Sequence, residues 1–172
     1  NPWRYDPMSP LNNFGEDSHN AHAQPDGTYH YHGSPLAMYN QDCDVEDSVS
    51  PVVGFAADGF PIYGPCFNDN GNIREARSSY NLKSDGEARQ HVVGYTTPVA
   101  HIGDIASTNY DGQFRGDYEY SESTGDLDEC NGMVDAYGNY GYYYTENYPY
   151  GPLCTFGQPD SSFVKPSSEY NN

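Results

Sequence analysis

The sequence is poor in aliphatic residues and in positive charge. Leu, Ile, Val and Phe make up 25 of 172 residues, about 15%; with high charge, that fraction usually signals disorder. Only 7 Lys and Arg stand against 25 Asp and Glu, for a formal net charge of −18. Such a surface lacks the cations that neutralise phosphates, so no nucleic-acid partner is expected. It is also repelled by anionic lipid. No apolar run approaches the roughly 18 residues of a membrane helix, so no membrane insertion is expected. C-x-x-C pairs are missing, which argues against zinc held by cysteine. There is no N-x-S/T sequon, so N-linked glycosylation is not expected, while Ser121 to Thr124, Ser167 and Ser168 leave O-linked glycans open. Neither G-x-S-x-G nor a glycine-rich phosphate loop occurs, so nucleophilic and phosphoryl chemistry get no motif support. The chain opens on Asn1 without a signal peptide, and Asn1 reads as the first residue of a processed product.

What the chain does have is tyrosine. Eighteen of them accompany 18 glycines and 13 prolines. Each tyrosine brings a large ring with a polar tip, so it packs while its hydroxyl keeps a partner. The expected core is thin, tyrosine-lined and in need of cross-links. Cys43, Cys66, Cys130 and Cys154 supply an even set that allows three pairings. We expect Cys43–Cys66 and Cys130–Cys154, each closing a loop of about 24 residues and stabilising by roughly 3 kcal/mol. Disulfides together with few lysines favour an oxidising, extracellular setting, secreted or at a cell surface.

The pattern along the chain is that of a mainly β protein: a compact sheet or sandwich with long irregular loops and little helix, stabilised by disulfides and by calcium. Residues 1–19 read as an extended arm, 20–157 as the domain and 158–172 as a Ser/Pro-rich tail. Thr28 to His32 reads as a strand after the Asp26-Gly27 turn. Val52 to Ala56 and Phe60 to Gly64 read as a hairpin around Asp58-Gly59. Val92 to Val99, Tyr118 to Tyr120 and Tyr140 to Thr145 are further strand candidates, and residues 126–131 one helical turn capped by Asp126 with Glu129 three residues on. Gly27 to Tyr31 and Gly141 to Tyr144 share a rhythm and suggest two strands of one sheet.

Two constellations suit metals. His30 and His32 are two apart, so on a strand both imidazoles leave the same face. With a third ring from His22 or His19 they could hold copper or zinc; the competing reading is a hydrogen-bonded network among tyrosines. The second is Asp126-x-Asp128-Glu129-x-Asn131-Gly132, a polar turn whose alternating oxygens suit calcium, with Asp58 as a further oxygen ligand. Asp42 to Asp47 and Asn68 to Gly71 are other acidic loops. For all of them the plain alternative is a solvated, capped turn. Arg115-Gly116-Asp117 matches an integrin-type tripeptide, a pattern short enough to arise by chance.

The string Asn20-Ala-His22-Ala-Gln-Pro-Asp26-Gly27-Thr-Tyr29-His30-Tyr31-His32-Gly33-Ser-Pro35 resembles the YHYH domain family. Gly54 to Pro65, Ser78 to Lys83, Gly116 to Gly132 and Tyr142 to Tyr150 fit the same resemblance, over roughly residues 20–157. It implies a secreted or surface protein and brings no defined reaction. It also implies a histidine in the late strand, where this chain has Tyr143. The favoured function is an extracellular structural protein that self-associates into a filament or surface layer. The first alternative is a secreted metalloenzyme using the His-x-His strand, and the second a carbohydrate-binding surface module using tyrosine faces.

Overall fold

A computed structural model describes residues 1–45, 48–84 and 86–163. The chain is mainly β; the described residues form ten short strands in several small sheets and two 3₁₀ turns, Arg115–Asp117 and Ser161–Phe163. β1 (Ala21–Ala23) pairs antiparallel with β2 (Tyr29–Tyr31). β3 (Val52–Phe55) and β4 (Pro61–Tyr63) form the hairpin expected around Asp58-Gly59. β5 (Cys66–Asp69) and β6 (Asn72–Glu75) form another, and β7 (Tyr80–Leu82) pairs with β8 (Tyr118–Tyr120). β9 (Gly132–Val134) and β10 (Tyr140–Tyr143) complete a four-stranded sheet in the order β3-β4-β10-β9. β4 and β10 run parallel at its centre.

All four residues of β10 are buried, and the pleat sends alternate side chains to opposite faces. Tyr143 packs on one face with Ala76, Leu127, Tyr63, Phe67 and Met133. Tyr140 and Tyr142 pack on the other with Cys130, Ala56, Phe60 and Ile62. Gly141 lies between them because a side chain there would run into the Tyr63 ring. The hydroxyls are satisfied as burial requires: Tyr140 donates to Asp128 at 2.8 Å and Tyr142 to Asp58.

A second buried centre is ionic. Arg89, fully shielded, pairs with the equally buried Asp117 at 2.7 Å and with Asp111. Asp117 also accepts from the amides of Gly112 and Phe114. Asp117 of the Arg-Gly-Asp tripeptide is thus an internal ion-pair partner, not displayed on a loop. The disulfides join Cys43 to Cys66 and Cys130 to Cys154, the expected pairing.

The structure departs from the sequence reading in several places. Val92 to Val99 forms no strand; Pro98 lacks an amide hydrogen and no partner strand lies alongside. Residues 126–131 make turns instead of a helical turn, because Asp126 is drawn to Arg74 and Arg77 and does not cap. β2 and β10 belong to different sheets, so the shared tyrosine rhythm does not mark neighbouring strands. The segment Cys66 to Glu75 is a hairpin whose turn residues Asn70 and Gly71 both have positive φ, 53° and 96°. That is the backbone an Asn-Gly two-residue turn favours. The N-terminal arm is docked: Tyr5 bridges Phe114, Asp6 donates its amide to Gln113, and Arg115 and Gly116 donate to Arg4 and Pro2. Glu46, Asp47 and residues 164–172, with Ser167 and Ser168, lie outside the described residues.

Candidate metal centre

The β1–β2 pair builds the site. Tyr29 and Tyr31 point outward and are exposed, so the pleat turns His30 inward. The register sets His22 directly opposite His30. His32 follows two residues after His30, on the same face. One ring nitrogen from each of His22, His30 and His32 lies within 4.8 Å of the other two. The rings pack with centroids 4.4 to 4.7 Å apart. His19, the other candidate third ring, is exposed and outside the group.

The cluster is tied together through Glu16. His32 Nδ1 lies 3.0 Å from Glu16 Oε1, and His30 Nε2 lies 2.8 Å from His32 Nε2. Burial lowers the His32 pKa, a shift that Glu16 only partly offsets and that the two neighbouring rings reinforce. A neutral His32 that donates Nδ1–H to Glu16 presents a bare Nε2, to which His30 Nε2–H donates. His30 Nδ1 is then a buried lone pair without a hydrogen bond, and His22 Nδ1, also without one, lies 4.0 Å from Glu16 Oε1. His30 and His32 also line a cleft of about 370 Å³ whose walls include Asp6, Arg115, Tyr144 and Tyr148. Glu16, Asp6 and Arg115 carry no sequence signal for this site. They arrive through the folding of the arm and of the 113–117 segment.

The oxygen constellation is arranged differently. Asp126 takes a bidentate pair with Arg74 at 2.7 and 2.8 Å and accepts the Arg77 amide, which together hold its carboxyl far below the usual range. Asp128 accepts from the Cys130 and Gly132 amides and from Tyr140. Asn131 is buried at φ 65° and donates to Tyr143 and Thr145. Glu129 is exposed, and its carbonyl accepts from Tyr80. Asp58 sits in the β3–β4 turn and accepts from Tyr142 and from the Gly157 amide. Its burial raises the carboxyl pKa, and those donors outweigh it to hold the group below its ordinary value. Among the described residues, the histidines are the group that could hold an ion. Tyr143, at the late-strand position where the resemblance implies histidine, packs in the core, away from this group.

The fold and site define a small disulfide-bonded β domain with a three-histidine cluster on its β1–β2 pair. A family model described as "YHYH protein" matches residues 1–157. The chain belongs to that family, and the match takes in the N-terminal arm as well as the Tyr29-His30-Tyr31-His32 strand. No curated protein and no solved structure matches the chain.

Proposed function

We propose that the chain is an extracellular structural domain that self-assembles into a filament or surface layer. The observation that carries the proposal is an imbalance of apolar surface. Among the described residues, eleven hydrophobic residues are buried while twenty-two large apolar side chains are exposed. Isolated exposed apolar residues are ordinary, but so many beside so small a core leave apolar surface for a neighbouring copy to cover. The exposed residues fall on separate elements. Phe55 at 69% and Val134 at 60% stand on β3 and β9, the two outer strands of the four-stranded sheet. Val92, Val93, Tyr95, Val99 and Ile102 occupy the irregular segment after Arg89. Outer strands offer unpaired backbone groups to another chain. Contacts between unlike surfaces that do not close into a ring propagate as a polymer.

The two disulfides support the extracellular part of the reading, because such bonds persist in oxidising surroundings. No helix among the described residues is long and apolar enough to cross a membrane. Calcium belongs to the same proposal: copies carrying −18 repel, and divalent cations screen that repulsion. The test is electron microscopy and sedimentation velocity over a concentration series, with and without calcium. Regular polymers are expected, broken by Phe55→Asp and Val93→Asp. Uniform monomers at every concentration, with calcium present, would refute the proposal.

A further inference from the structure

We infer that His22, His30 and His32 bind one divalent ion of the copper or zinc type, with Glu16 as the positioning carboxylate behind His32. The donor set selects the class. Three imidazole nitrogens suit Cu²⁺ or Zn²⁺, whereas calcium takes oxygen ligands. Nitrogens sharing a tetrahedral ion at ordinary zinc distances stand about 3.3 Å apart. The His30–His32 pair, at 2.8 Å, is already near that spacing, and His22 needs only a ring adjustment.

A purely structural histidine network would be expected to satisfy its own nitrogens. This one turns in on itself: among the described residues the three rings hydrogen-bond only to Glu16 and to one another, and His22 Nδ1 lies 4.0 Å from Glu16 Oε1. Rings gathered on one another in this way suit a shared ion bound through their facing nitrogens. The Glu16–His32 contact at 3.0 Å adds a feature that metal-bound histidines almost always have, a carboxylate on the far ring nitrogen that fixes its tautomer. The cleft beside His30 and His32 gives a further ligand a way in. Three protein nitrogens plus one accessible position is the arrangement of catalytic zinc sites, where structural sites are closed by a fourth protein ligand. This inference stands independently of assembly.

The experiment uses the metal-stripped full chain with both disulfides intact. Separate arms receive Zn²⁺ and Cu²⁺, each with excess Ca²⁺, and binding is followed by calorimetry. One ion per chain is expected, without competition from calcium. The Cu²⁺ arm should give an electron paramagnetic resonance spectrum with nitrogen hyperfine splitting. His30→Ala and His32→Ala should abolish stoichiometric binding, while His19→Ala and His101→Ala, at exposed positions, should leave it intact. Glu16→Gln should keep the stoichiometry and weaken affinity about 10- to 100-fold. Failure to retain either ion overturns the inference, and so does unchanged binding in the His30→Ala, His32→Ala double variant. If the alanine variants do not fold, the wild-type copper spectrum decides alone: an oxygen-only ligand field defeats the assignment.

Discussion

Asp6 is a carboxyl held at a cost. It is 2% exposed, one of its oxygens has no partner, and burial pushes its pKa from 3.8 up to about 6, against the Met8 amide and Arg115. Between pH 4 and 6 the unfolded chain loses this proton while the native chain keeps it. Native stability therefore falls as pH rises through that window. Asp6→Asn should raise the melting temperature at pH 7.5, reflecting about 1–3 kcal/mol, and leave it nearly unchanged at pH 4. Thermal melts of both proteins at the two pH values check this. Arg89 behaves oppositely: Arg89→Met would strand the buried Asp117 without its cation and should destabilise by about 3–5 kcal/mol in urea titrations. At this scale the histidines were half legible. The i, i+2 spacing of His30 and His32 gives their common face, but choosing His22 over His19 needed the β1–β2 register. Glu16 and Arg115 were invisible because tertiary contacts alone bring them to the site.

Among the elements, turns decide more than strand propensity does. Gly125 precedes Asp126 where the chain passes against residues 77 and 78, and a Cβ there would strike the carbonyl oxygens of Ser78 and Arg77. Backbone cannot swing aside as a side chain can, so Gly125→Ala should cost about 1–3 kcal/mol. It should also loosen the Arg74–Asp126 pair, visible as a smaller salt dependence of stability. The same logic explains what could be read from sequence. Asp58-Gly59 marked its hairpin correctly. Asn70-Gly71 carries an equally strong hairpin signal, hidden behind its resemblance to an acidic loop. Val92 to Val99 fails in the other direction: its apolar residues have no partner strand, and 87% of Val93 faces outward.

For the molecule as a whole, cross-links do what a larger interior does elsewhere. Each disulfide closes a loop with a sequence separation of 23 or 24 and contributes about 3 kcal/mol. Together they rival the net stability of a small domain. Reduction should lower the melting temperature sharply, and the Cys43→Ser, Cys66→Ser double variant about half as much, by differential scanning calorimetry. An unchanged melt after verified reduction would contradict the thin-core account. That account was legible from composition alone, because few aliphatics and many tyrosines leave little else to bury. What composition could not convey is where the tyrosines gather.

The docked arm has an optical consequence. Trp3 is the single indole of the chain, set edge-on to Phe114 at 6.3 Å, in a protein with eighteen tyrosines. Light absorbed by phenol rings can be re-emitted by that one indole, with a yield that falls steeply with distance. Emission from Trp3 is therefore a built-in gauge of whether the first few residues lie docked against Phe114 or have come away from it.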